Sequence, residues 1–496
     1  MHNMKGVILP VSQSTSSADS STPSILSLDE QRALLRRLRS DILTAYRPHL
    51  QEGSGPIRVM ARIVAELEQT CHAHAISDDL IRSEIVNRTI GDIDLRQVVE
   101  CEGEPGGPLD YRILADELGI ALPGEQLHNY TATGETYLWL REQMLACERL
   151  LLKQGFDPRV YDIYGIGNPV LRGWLAAEMG RWGIEVTHRN VHLSLGAMDG
   201  IDNVLRGLAH IARTQKKEQI AILFPEPGFG VPEWQAMSYG YQIHRYSTSA
   251  ENHFKLTGEQ LDQVLAENPA ISVLYLTITN NPTAFAYTPE ELNDLHAVLR
   301  RYRESGRQVF ILADLAYIGT GKPEEDQARM ATFIESDVLK HTIFVSSFSK
   351  THTLTGERLG WVTCGDPDIA VGISVSWSNG LAALPGEWQL RFMAYYRLFQ
   401  ERPQLGEKLR RFYRLRRTQL IAQLRAIDEQ FQLFDQIYID DDATVYNWSK
   451  LKEGVDAFSL FEKTGIAGVP GSGFGYDDAY IRFSIGVIPI ILKDPL

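Results

Sequence analysis

The chain has 496 residues, 44% of them hydrophobic and 23% charged, which are ordinary globular proportions with length for more than one folded unit and no need of a disulfide or metal to hold a core. Its 63 acidic against 49 basic residues give a net charge of −14, which argues against nucleic acid or an anionic membrane as the main partner but leaves room for a local cationic pocket. Cys71, Cys101, Cys147 and Cys364 form no CxxC pair, so no metal site or redox motif is expected and a reduced, cytoplasmic protein is the simplest reading.

Residues 1–27 hold a Ser/Thr-rich stretch, SQSTSSADSSTPS, and are expected to be a disordered tail; the apolar run GVILP is too short for a signal peptide or a membrane span. Residues 28–155 predict a helical extension that contributes part of a small domain. SLDEQRALLRRLRSDILTAY opens on Ser27 as a cap with an acidic first turn, and its apolar residues recur at three and four. IRVMARIVAELEQTC and ETYLWLREQMLACERLLLKQG continue the helical pattern on either side of a Gly/Pro loop, EGEPGGP. Residues 156–370 predict a large α/β domain. VHLSL, QIAILF, ISVLYLTI, QVFILA, HTIFVSS and RLGWVTC are short apolar runs separated by amphipathic helices, the pattern of a mostly parallel sheet buried on both faces. Residues 371–496 predict a smaller α+β domain, with a long helix over LRRFYRLRRTQLIAQLRAI and short strands ending in AYIRFSIGV.

Ligands of such sheets collect beyond the carboxyl ends of the strands, and the reactive residues stand there. Gly196-Ala197-Met198 opens a helix directly after a strand, a junction that offers backbone N–H groups to a phosphate; a plain tight turn is the bland alternative. Phe229 can stack on a flat heteroaromatic ring or simply fill core. Asn281 stands in an Asn-Pro turn, with a side chain able to donate to a ring oxygen. Asp314 ends an apolar strand, where a carboxylate needs a partner such as a protonated pyridine nitrogen or a helix N-terminus; Tyr317 is three residues on. Lys350 follows HTIFVSS among Ser346, Ser347 and Ser349, with Arg358 beyond it, as a carbonyl-reactive amine beside a phosphate pocket would be.

Together these residues resemble the class I/II aminotransferases, the fold type I enzymes that use pyridoxal 5'-phosphate, over roughly residues 160–487. The resemblance implies Lys350 as the Schiff-base lysine, Asp314 on the pyridine nitrogen, Asn281 and Tyr317 on the ring oxygen, and Phe229 stacked on the ring. It places Ala197, Met198, Ser347, Ser349 and Arg358 at the phosphate. YGIGNPVLRGWLA matches the family's tyrosine-glycine-leucine-arginine region, where Tyr161 or Tyr164 would reach a partner's phosphate, and YIRFS places Arg482 on the substrate carboxylate. Ala284 stands where the family usually has glycine. The implied activity is transamination of an L-α-amino acid to a 2-oxo acid by a homodimer. A lyase, decarboxylase or oxygen-using oxidase on an amino acid is the alternative within the same chemistry. An aminotransferase-like regulator is remote, because the extension shows no recognition-helix pattern.

Overall fold

A strand that is apolar along its whole length must be covered on both faces, and the central sheet is built that way. In a computed structural model that describes residues 26–47, 56–91, 130–216, 219–439 and 445–485, the short β1 (Val86–Asn87) is followed by seven strands of one sheet. These are β2 (Val191–Leu195), β3 (Ala221–Glu226), β4 (Gln242–Ser247), β5 (Ile271–Thr277), β6 (Phe310–Asp314), β7 (Thr342–Ser347) and β8 (Leu359–Cys364), in spatial order β2-β8-β7-β6-β5-β3-β4. β8 runs antiparallel to both neighbours and the other pairings are parallel. Side chains alternate between two cores. Phe344 of β7 joins Met179 and Phe333 on one face, while Ile343 and Val345 join Val204 and Leu205 on the other. The sequence gives no sign of β4: QIHRYS is polar because it is an edge strand, paired only with β3 and partly solvated.

A second sheet is antiparallel, in order β12-β13-β10-β9, from β9 (Phe434–Ile437), β10 (Tyr446–Leu451), β12 (Val469–Pro470) and β13 (Tyr480–Ser484). The first helices of the chain pack beside these last strands. Leu28–Tyr46 and Pro56–Ala73 put Leu35, Met60, Val64 and Leu67 against Phe458 and Phe461 of the helix Ala457–Thr464. β1 then pairs in parallel with β11 (Ile466–Ala467), and residues 89–91 beyond it reach Arg482 and Lys350. Ser27 caps the first helix through a capping box with Glu30, so the described chain is ordered from the end of the expected tail; residues 1–25 of that tail lie outside the described residues, as does the Gly/Pro loop 102–108. Among the described residues no helix is long and apolar enough to cross a membrane.

Two histidines lie deep in the α/β core. His192 on β2 packs edge-on to Trp377, and His296 on the helix Pro289–Glu304 packs edge-on to Phe333, with ring centroids 4.7 Å apart in each pair. Burial, helped by Arg172 and Arg303 respectively, pushes their protonation down from the ordinary 6.5 to about 3 and about 4. Below pH 6.5 the unfolded chain binds protons that the folded protein refuses. The contribution is therefore intact above that pH and is lost as pH falls towards 4. Two such groups predict a loss of about 3 kcal/mol of stability per pH unit in that window, to be read from urea unfolding at pH 7, 6 and 5. An unchanged midpoint across the series would contradict it.

Candidate functional site

The anion end of the site is made by backbone. The helix Gly196–Thr214 starts directly from β2 with no side-chain cap, so its first-turn N–H groups, at Ala197 and Met198, face the strand ends. Gly196 sits at φ +82°, and a Cβ there would stand 2.5 Å from Arg358 Nη2. Gly360 is as tight: its Cβ would meet Gly196 Cα at 2.6 Å. Two glycines thus let the guanidinium of Arg358 lie over the helix start, where it donates to the carbonyls of Leu195 at 3.3 Å and Thr355 at 2.8 Å. Ser347 ends β7 with its Oγ buried and without a partner among the described residues. Lys350 and the half-buried Ser349 follow on a single helical turn, Phe348–Thr351, which Tyr413 ties down by donating to the Lys350 carbonyl at 2.5 Å.

Asp314, the last residue of β6, is buried. Its Oδ2 accepts from Tyr275 Oη at 2.7 Å and its Oδ1 from the Ala316 N–H at 2.9 Å. Burial raises its proton affinity above the ordinary carboxylate range, and those two donors offset only part of that. A cation placed on this carboxylate would restore its charged form. Phe229, half-buried, lines a small cavity with Tyr275, Thr277 and Asn280, so Tyr275 connects it to Asp314.

Arg482 on β13 is 4% exposed. Its Nη1 donates to Asn281 Oδ1 at 2.9 Å and its Nη2 to the Thr89 carbonyl at 2.7 Å. Its guanidinium carbon lies 4.3 Å from the ring centre of Tyr446 and 4.9 Å from that of Phe474. Asn281 keeps its Nδ2 as a donor. Tyr317 donates to Tyr446 Oη at 3.2 Å, and burial together with Tyr446 holds its hydroxyl proton tightly. Lys350 Nζ donates to the Gly91 carbonyl, and a Cβ on Gly91 would collide with Tyr446 Oη at 2.0 Å.

One linked group therefore contains Lys350, Tyr317, Asn281 and Arg482; a second contains Ala197, Met198 and Arg358, with Ser347 at the neighbouring strand end; Asp314 and Phe229 are joined through Tyr275. Tyr161 and Tyr164 meet none of them and are 63% and 68% exposed. The sequence reading missed Tyr275, Tyr446, Tyr413, Thr89 and Gly91. The only signal for the last two is a short run, VNRTIG, with a glycine after β-branched residues. The set has the chemistry to hold pyridoxal phosphate: an orphaned hydroxyl at Ser347, a cradle at Gly196 that a Cβ would fill, a buried acid short of a cation, and an amine at the same strand ends.

The sequence model of "Aminotransferase class I and II" matches residues 167–489. An LL-diaminopimelate aminotransferase of Halothermothrix orenii is 26% identical over 310 residues, covering 58% of this chain and 71% of that protein. An asparagine–oxo-acid transaminase of Streptococcus mutans is 26% identical over 295 residues, covering 56% and 70%. A solved structure of Thermus thermophilus aspartate aminotransferase with maleate superposes over 87% of this chain and 92% of that one, with a TM-score of 0.63 at 18% identity, a likeness of fold.

Ala284, buried beside Tyr317, takes φ +66° in the turn that carries Asn280 and Asn281. An L-residue there costs roughly 1–2 kcal/mol, partly offset because glycine loses more freedom on folding. Ala284→Gly should raise stability by up to about 1 kcal/mol. Chemical denaturation of the two proteins side by side checks this, and a destabilised variant would show that the methyl's packing outweighs the strain.

Proposed function

The chain belongs to the class I and II aminotransferases, enzymes dependent on pyridoxal phosphate, and we propose that it moves the amino group of an L-α-amino acid to a 2-oxo acid with Lys350 as the cofactor-bearing and proton-moving residue. When bound, the cofactor would supply the electron sink for the charge left on the substrate's α-carbon. The chain's own residues do the rest. Asp314 would hold a proton on the pyridine nitrogen, and Asn281 Nδ2 and the Tyr317 hydroxyl would donate to the ring oxygen. Phe229 would cover one ring face. The N–H groups of Ala197 and Met198, with Ser347, Ser349 and Arg358, would hold the phosphate.

Arg482 would take the substrate carboxylate in a bidentate pair. Its unpartnered Nε would offer one donor, and the contact of Nη2 with the Thr89 carbonyl would loosen as the carboxylate takes the other. Lys350 Nζ would leave the Gly91 carbonyl before it could serve as general base for the α-proton and as the general acid that returns it. The observation that carries this reading is the convergence of Lys350, Tyr317, Asn281 and Arg482 through Gly91, Tyr446 and Thr89. We further propose a homodimer of the cytoplasm, with one of the exposed tyrosines, Tyr161 or Tyr164, turned towards the partner's phosphate. The amino-acid relatives of this family differ in substrate, and the side chain accepted here is left to the assay.

The test is absorption and turnover of purified protein with a panel of L-amino acids. Wild type should show the visible band of lysine-bound cofactor, and amino acid should bleach it with release of one 2-oxo acid per active site. Lys350→Ala should lack the band and all turnover. Arg482→Ala should keep the band while kcat/KM falls by about 100-fold or more, the loss expected of a charged bidentate contact. A protein that stays colourless after reconstitution, or turnover that survives in Lys350→Ala, would sink the proposal. Ammonia release or oxygen uptake in place of transfer would move it to the lyase or oxidase alternative.

A further inference from the structure

A cavity of about 390 Å³ lies beside the Lys350 turn, and of the residues grouped above it shares only Ser347. The alternation of β7 explains the separation. Ser346 continues the face of Phe344, and Ser347 continues the face of Val345, which looks towards the helix Gly196–Thr214. The cavity opens on the first face. Met179, Trp182, Phe348 and Phe399 make apolar, mostly aromatic walls. His352 and Arg410, the latter in the second turn of the helix Gln404–Phe431, complete the lining. His352 lies flat on Phe399, ring centres 4.0 Å apart, with Nδ1 facing Thr351 Oγ1 at 2.9 Å. Burial and the neighbouring Arg410 keep its ring neutral. Two cations line the cavity: Arg181 is taken up by Glu178, whereas Arg410 makes no hydrogen bond or close ion pair among the described residues and feels Glu407, Asp326 and Glu324 only from a distance. Glu178, the carboxylate in the wall, is already engaged by Arg181 at 3.2 Å and Gln400 at 3.2 Å.

We propose that this cavity is a second ligand site, which takes an aromatic monocarboxylate with its ring among Trp182, Phe348 and Phe399 and its carboxylate on Arg410. The volume suits a small molecule, and such sites combine apolar walls with a few placed polar groups. A half-buried guanidinium with no acceptor is an incomplete arrangement that a carboxylate completes. Glu178 on the wall disfavours a second negative charge, which selects a monocarboxylate. Phe348 and Thr351 belong to the turn that carries Lys350, so an occupant fixes that turn and is felt at the lysine. Binding itself does not depend on the transaminase reading.

The test is calorimetric titration of 3-phenylpropionate into the cofactor-loaded protein, with 3-phenylpropanamide as the uncharged twin. The acid should bind with heat, and the amide should bind at least about tenfold more weakly. Arg410→Gln should weaken the acid about tenfold and leave the amide unchanged, which no general unfolding would do. Arg482→Lys should leave the acid's affinity unchanged. No heat up to about 10 mM acid, equal binding of acid and amide, or a loss in Arg482→Lys as large as in Arg410→Gln would each overturn the proposal, the last by placing the probe on the carboxylate grip. Cofactor loading is read separately from absorption, so failure there and failure here remain distinct.

Discussion

The buried guanidinium of Arg482 is the joint on which the site depends. A charge that far from water is tolerated only if its donors and its faces are filled. Here Asn281 comes from the turn after β5, Thr89 from the segment after β1, and Tyr446 and Phe474 from the C-terminal sheet and the turn before β13. Four stretches separate in sequence are thus obliged to meet at one side chain. Its Nε has no partner among the described residues, so the set is complete enough to hold the charge and incomplete enough to accept another anion.

The same joint explains why the first helices of the chain matter to the chemistry. Their core residues are shared with Phe458 and Phe461, and β1 is registered on β11, so residues 88–91 are delivered to the strand ends by packing that is remote from them. The carbonyls of Thr89 and Gly91 then occupy Arg482 and Lys350, the two cations proposed to meet the substrate. These are backbone acceptors without charge. A carboxylate outcompetes a neutral carbonyl for a guanidinium, because charge-assisted hydrogen bonds are roughly twice as strong. The segment can therefore hold the cations in order without blocking exchange.

How legible this was depends on what kind of group does the work. The parallel strands could be read because continuous apolar runs have few other uses, and the helix start at Gly196 because strand–glycine–helix is a local pattern with a local reason. Asp314 draws notice because an ionisable residue ending an apolar strand needs explaining, and Lys350 because it follows one by three residues; Arg482 stands in the middle of β13 and was singled out by the family resemblance alone. Tyr275 and Tyr446 were not, since an aromatic inside a strand looks like core until its hydroxyl is seen on Asp314 or Tyr317. Thr89 and Gly91 act through carbonyls that every residue has. Tyr161 and Tyr164 stayed undecided in sequence, and one chain does not choose between two exposed side chains. β4 escaped because an edge strand can be polar.

The turn Phe348–Thr351 lies between the Lys350 site and the neighbouring cavity. It is one helical turn, too short to hold itself by propagation of its own hydrogen bonds. Its position is fixed from outside, by Tyr413 on the Lys350 carbonyl and by Phe348 packed among Trp361, Phe392 and Phe399. Lysine aim is therefore set by side chains on the far face of the turn as much as by the site it serves. Of these, Phe348, Trp361 and Phe399 border the cavity, so what fills that space bears on how firmly the turn is held.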